Sequence, residues 1–397
     1  MPIAESENPN LGGRVGHADL VPVLLPGRRT GAQALLFACG LLTIQSCATR
    51  TDDVNALGHV RATLSNSRDV GTVAWHPAGD KIIAADQRNQ SLDLWDLSSR
   101  KKVWHINKYG LITADSIGFS GDGENIAVTS VAAIAAPNRD SESALTVLSS
   151  RDGHILRDVV DIKPQSGFSN FARHFSFTTD KKECAVILAD SGVIAIFDVS
   201  NWSLLQRVGP LTNAHGWHTG VDQVAVDRNR DLVVAGFVDG DVQVLSISEN
   251  KVVTSFHTNS DLRALAYDAI SGTVISGATG NETGRLTRTP SGEERLTVSR
   301  DDAKSLVRGW DVNTGAPTRT YSGPNGGVKS LAVSPDGRRL AATKGVGHVV
   351  IWHLQTGELL AEIDYGRSSA RGLAFSPDSR ELAYAVDSNV YIVEVAN

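Results

Sequence analysis

The sequence predicts an all-β chain of seven antiparallel four-stranded sheets set around an axis. Three observations carry this. A turn phrase ending in Pro-Asp-Gly or a near relative recurs seven times, a second phrase ending in Trp-Asp or an apolar equivalent follows each copy, and the intervening segments alternate with period two.

The first phrase appears as Val73-Ala-Trp75-His-Pro-Ala-Gly79, Ile117-Gly-Phe119-Ser-Gly-Asp-Gly123 and Phe175-Ser-Phe177-Thr-Thr-Asp180. Shorter copies are Val224-Ala-Val226 and Leu265-Ala-Tyr267; the fullest are Leu331-Ala-Val333-Ser-Pro-Asp-Gly337 and Leu373-Ala-Phe375-Ser-Pro-Asp-Ser379. Anchored on Trp75, Phe119, Phe177, Val226, Tyr267, Val333 and Phe375, the steps are 44, 58, 49, 41, 66 and 42 residues. The shortest steps fit one four-stranded unit of about 40–45 residues. Pro-Asp-Gly suits a tight turn because Pro presets φ, Asp bonds its own backbone and Gly tolerates positive φ.

The second phrase reads Leu92-Asp-Leu-Trp95-Asp96, Leu145-Thr-Val-Leu148, Ile194-Ala-Ile-Phe197-Asp198, Val242-Gln-Val-Leu245, Val307-Arg-Gly-Trp310-Asp311, Val349-Val-Ile-Trp352-His353 and Val390-Tyr-Ile-Val393. A further strand follows it, as at Gly357-Glu-Leu-Leu-Ala-Glu-Ile363. No stretch sustains a 3.6-residue period, so helix is expected only near the N-terminus.

These phrases resemble the WD-repeat β-propeller family across residues 58–397, with Trp95-Asp96, Trp310-Asp311 and Phe197-Asp198 carrying the resemblance. The resemblance implies a seven-bladed β-propeller. It also implies a buried His, Ser/Thr, Asp and Trp set in each blade, of which only fragments survive. His218 and Asp239 fit the fourth blade, where Leu245 stands in place of Trp. Blade stability is therefore expected to rest mainly on apolar stacking. The chain ends just after the third strand of the seventh unit, so residues 58–64 are expected to supply its outer strand and close the ring.

Composition narrows the function classes. The 397 residues are 41% hydrophobic with mean hydropathy −0.12, enough for a core. The 38 Lys and Arg against 44 Asp and Glu give a net charge of −6, which argues against a general nucleic-acid binder. Three cysteines, Cys39, Cys47 and Cys184, cannot build a disulfide framework.

The N-terminal part reads as an address. Arg28-Arg29 precedes an apolar run from Ala34 to Ile44 and then Gln45-Ser46-Cys47. Eleven helical residues rise only about 16 Å, too short to cross a bilayer core of roughly 30 Å. The segment resembles a bacterial lipoprotein signal in which Ile44, Gln45, Ser46 and Cys47 fill the cleavage motif. That resemblance implies acylation of Cys47, residues 1–47 as signal, 48–57 as tether, 58–397 as propeller, and a place in the cell envelope. A start near Val21 or Val23 brings the basic pair closer to the usual position. The other reading is an unrelated apolar stretch with Cys47 incidental, on a cytoplasmic protein.

Function is expected on one rim. The anchor-to-second-phrase distance is 18–20 residues in blades one, three, four, six and seven, but 29 in blade two and 43 in blade five. Both excesses fall between second and third strands, at residues 131–143 and 280–305. Long connections of this kind are often functional. The second carries Arg285, Arg288, Arg295 and Arg300 with Glu293, Glu294, Asp301 and Asp302, and reads as a partner-facing flap or a drifting loop. On the same rim, linker 209–220 holds His215, Trp217 and His218. A metal site, a ligand-contacting aromatic and simple packing all remain open readings there. Phe168 and Phe171 extend the aromatic character. Candidate partner-binding residues are thus Phe168, Phe171, His215, Trp217, Arg285, Arg288 and Arg295.

The sequence holds no Gly-x-Ser-x-Gly elbow, phosphate loop or dinucleotide fingerprint. Asp239-Gly-Asp241 reads as a hairpin turn rather than a calcium loop. No cofactor is expected. The leading expectation is a non-enzymatic, monomeric, membrane-tethered scaffold for a protein or peptide partner. The alternative is a periplasmic propeller enzyme of lyase, lactonase or dehydrogenase type, or a small-ligand binder using the central channel.

Overall fold

The computed structural model describes residues 59–66, 69–86, 91–107, 116–129, 145–159, 172–188, 191–216, 220–278, 282–288, 294–300 and 307–395, apart from 324–325, 346, 367 and 369. Seven antiparallel four-stranded sheets form a ring, the seven-bladed β-propeller expected from the repeats. The innermost strands are Val70–Trp75, Ile117–Phe119, Ala172–Phe177, Val221–Asp227, Leu262–Asp268, Val328–Val333 and Ala370–Phe375. Among the described residues there is no helix, and hence none long and apolar enough to cross a membrane.

The N-terminal strand Val60–Ser65 closes the ring. It pairs with Asn389–Glu394 as the outer strand of blade seven, with Ala62 opposite Ile392 and Leu64 opposite Val390. Its alternation is that of a half-buried edge: Ala62 and Leu64 point inward at 7% and 1% exposure, while their neighbours face solvent. Ring closure leaves only outer strands as sheet edges, and that of blade one begins with exposed Lys101 and Lys102, which blunt edge pairing.

The core lies between the blades. Apolar side chains gather into seven clusters among the described residues, and each draws on two neighbouring sheets. Between blades one and two, Ile83, Leu92 and Leu94 meet Phe119, Ile126 and Val128. Second and third strands are therefore buried on both faces, as along Leu232–Phe237, whereas outer strands alternate. Polar stitches reinforce these gaps. Outer-strand side chains donate to carbonyls in the last turn of the next blade: Arg157 to Asn201 at 2.6 Å, Thr254 to Asn313 at 2.7 Å and Tyr321 to Leu354 at 2.7 Å.

The repeated phrases correspond to two turn devices. In blade six, Ser334 Oγ donates to Asp336 Oδ1 at 2.5 Å and accepts the Arg339 N–H at 2.9 Å. Asp336 Oδ1 also accepts the Arg338 N–H at 3.0 Å, and Gly337 takes φ +66°. Ser120–Asp122, Thr178–Asp180 and Ser376–Asp378 repeat the arrangement. The aspartate after the third strand caps the other turn: Asp311 Oδ1 accepts the Asn313 and Thr314 N–H groups at 3.0 and 2.8 Å. Asp96 and Asp198 act likewise. Hydrogen bonds from the Ser98 and Ser99 hydroxyls, and then from the Ser99 N–H, hold the Asp96 carboxyl down at about 2.

Candidate functional site

Strand parity sorts the connections. Each inner strand starts at the face where the linker from the preceding blade arrives. The connection between second and third strands returns to that same face. The Asp-capped turns lie on the opposite one. The rim singled out by the sequence is thus one face of the ring.

On this face the insertion in blade five is ordered as a β-hairpin rather than an irregular loop. Glu282–Arg288 pairs with Glu294–Arg300 between the second strand Thr273–Ala278 and the third strand Val307–Asp311. Backbone register places Arg285 opposite Thr297, Arg295 opposite Thr287 and Arg288 opposite Glu294. The blade-two insertion, residues 131–143, lies outside the described residues.

The linker after blade three is fastened to the hairpin turn of blade four. Asn213, buried, donates from Nδ2 to Asp239 at 2.6 Å, and the Ala214 N–H donates to Asp241 at 2.7 Å. Gln243 donates to the Thr212 carbonyl at 2.6 Å. Gly240 sits in the turn at φ +97°, where a Cβ would come 2.4 Å from the Ser260 carbonyl. Asp239-Gly-Asp241 is therefore the hairpin turn that the spacing implies. His215 is exposed beside it, with its N–H on Asn213 Oδ1 at 3.0 Å. Trp217, His218, Phe168, Phe171 and Cys47 lie outside the described residues. The expected His218–Asp239 pairing thus lies beyond them, and Asn213 is a partner of Asp239.

Other fragments of the buried polar set are variable. Trp310 Nε1 donates to Ser276 Oγ at 2.8 Å, but Trp95 uses Asn66 at 3.0 Å and Trp352 the Ser322 carbonyl at 2.6 Å. Trp75 Nε1 donates to the Ala374 carbonyl at 2.9 Å and so ties blade one to blade seven.

Inside the ring the axis holds a cavity of about 590 Å³ walled by all seven inner strands. Asp222, Arg263, Lys329 and Arg371 line it from blades four to seven, with His174 from blade three. Desolvation holds the His174 imidazole down at about 4, against the pull of Asp222, so it is neutral near pH 7. Burial, and then the neighbouring Arg371, lowers the Lys329 ammonium from its usual range. No motif in the sequence marks these positions. The available signal was an offset: Asp222, Arg263, Lys329 and Arg371 each stand four residues before an anchor of the first phrase.

The ring, its closing strand and its turns define a seven-bladed β-propeller. Residues 315–353, spanning most of blade six, match the family described as WD domain, G-beta repeat. The chain is similar to the WD repeat-containing protein WRAP73 of Mus musculus, 24% identical over 80% of this chain and 65% of that protein. It is also similar to apoptotic protease-activating factor 1 of Rattus norvegicus, 24% identical over 62% of this chain and 17% of that one. The small ribosomal subunit protein RACK1y of Oryza sativa subsp. japonica is 33% identical over 22% of this chain and 25% of its own length. The chain thus spans less than two thirds of each of these relatives.

Proposed function

We propose that this propeller is a non-enzymatic scaffold that binds a protein or peptide partner through the face carrying the blade-five hairpin. The observation that carries the reading is the contrast between ring and insertion. Seven interblade cores and the polar stitches across them make the ring a rigid support, and a two-stranded hairpin is added where it costs the ring no pairing. Arg285, Arg288 and Arg295 on this hairpin, with His215 and the linker aromatics, form the proposed contact set. WD-repeat relatives support it, one of them named as a protein of the small ribosomal subunit.

The same reading places the propeller at the bacterial cell envelope, held by acylated Cys47 and the tether 48–57. More than one acyl chain makes such attachment stable. The test replaces residues 282–300 with a two-residue turn and repeats in-cell crosslinking with identification of captured proteins. The expected outcome is loss of specific partners at unchanged melting temperature; partner recovery equal to wild type overturns the assignment of the face. Mass spectrometry of the native N-terminus checks the anchor, and an unmodified Cys47 in an unprocessed chain refutes it.

A further inference from the structure

We propose that the central channel is a binding site for a compact polyanion, a small molecule carrying phosphate or carboxylate groups, held by Arg263, Lys329 and Arg371 from three consecutive blades. The reading is independent of the partner-binding face.

The geometry is that of a partly open, polar site. All seven inner strands contribute to the wall of a cavity of about 590 Å³, within the range of small-molecule pockets. Among the described residues, its lining brings three cations from blades five, six and seven against the single carboxylate of Asp222. The chain as a whole carries a net charge of −6, so this local excess of positive charge runs against the global balance. Chance placement of a solvated lysine or arginine puts it where water is plentiful. Here three sit at equivalent places on neighbouring strands, each four residues before its anchor, and the ring converges them on one axis.

Like charges held on a shared wall repel one another, and Lys329 registers that cost. Burial and Arg371 together lower its proton affinity, so the protonated state is maintained at some expense in free energy. An anion seated between these side chains removes the repulsion and gains charge-assisted hydrogen bonds in a partly desolvated site. Arginine from two blades offers planar forks suited to oxygen pairs, and lysine a point charge between them.

His174 completes the wall on the blade-three side. Its ring is neutral near pH 7, and its Nδ1 is buried with no hydrogen-bond partner among the described residues. Ser116 and Thr72 add hydroxyls from blades two and one. The channel therefore has a cationic half and a neutral, hydrogen-bonding half. That polarity fits a ligand with its charged groups at one end and neutral polar groups at the other. Asp222, which also accepts a hydrogen bond from Gln223 at 3.3 Å, stands at the boundary and disfavours anions that fill the whole cavity.

The test is titration calorimetry of the full chain at low salt with inorganic pyrophosphate and, in a second arm, citrate; glucose is the neutral control. The expected result is saturable one-to-one binding of at least one anion, weakened by added salt, and none of glucose. The arm that binds more tightly distinguishes phosphate from carboxylate chemistry. Arg263→Gln and Lys329→Gln should each weaken binding by about tenfold. Asp222→Asn should tighten it severalfold, a gain that a misfolded variant cannot produce. Lys329→Gln should leave the melting temperature of the unliganded protein unchanged or raised. Absence of saturable binding of both anions overturns the proposal, as does binding that all three substitutions leave unaltered, which places the anion elsewhere.

Discussion

Leu64→Ala should open the ring at its seam. Leu64 lies on the closing strand at 1% exposure, in the cluster where Ala383, Val390 and Ile392 of blade seven meet Val70, Trp75 and Ile82 of blade one. Truncation removes its methyl groups from water-free contact and leaves a cavity that two sheets, pinned by their own ladders, cannot close. Such changes cost about 2–5 kcal/mol. The unfolding entropy of a propeller of about 340 residues is roughly 0.7 kcal/mol/K, so a loss of about 3 kcal/mol lowers the melting temperature by about 4 °C. Val60 on the same strand is 52% exposed and serves as the control; Val60→Ala should shift the melting temperature by less than about 1 °C. Differential scanning calorimetry measures both. Equal shifts for the two variants, or none for Leu64→Ala, would refute the view that this strand is an integral part of blade seven.

Two further outcomes follow from buried ionisable groups. The Cys184 thiol is fully buried and desolvation pushes its pKa up, so iodoacetamide should label it only in denaturant; native labelling at the rate of a free thiol, read by peptide mass spectrometry, contradicts that packing. Asp227 accepts hydrogen bonds from Arg230 at 2.7 Å and Tyr267 at 2.8 Å; burial raises its pKa, but these bonds outweigh burial and leave it below the ordinary carboxylate range. A depressed pKa gives stability that is present above the unfolded value near 3.9 and lost as pH falls through the folded one. Asp227→Asn should therefore lower the melting temperature by about 3 °C at pH 7, from roughly 2 kcal/mol, with the gap to wild type closing as pH drops below about 4; a gap independent of pH excludes the charged pair as its source.

The blades were legible in sequence because their signals are local. Alternation, the Ser/Thr-x-Asp turn and the aspartate after the third strand each act within about five residues, and each recurs with its own hydrogen bonds. Closure by residues 58–64 was legible by counting strands, and the observed strand Val60–Ser65 agrees. The hairpin register within 280–305 was not, because Glu282–Arg288 and Glu294–Arg300 are rich in charged and polar residues, and such a pattern specifies register only weakly. The channel wall was not, because its members lie tens of residues apart and meet only after the ring closes. Asp239 illustrates a third case: the family pattern pairs it with His218, which lies outside the described residues, and the structure adds Asn213 as a buried donor to it, which that pattern does not name.

Parity also divides the labour between the two faces. Asp122, Asp180, Asp336 and Asp378 in the first turns, and Asp96, Asp198 and Asp311 in the last, all lie on one face and all bind their own backbone. Their charge is committed to holding turns, and any change there acts on the sheet behind it. The opposite face receives the linkers, the connections between second and third strands and the start of every inner strand. Residues added or exchanged there disturb no ladder, so a hairpin can be inserted in blade five without altering the register of Thr273–Ala278 with Val307–Asp311. The fold is indifferent to additions on this face, and the same face receives the strand starts that carry Arg263, Lys329 and Arg371, which the chain separates by tens of residues.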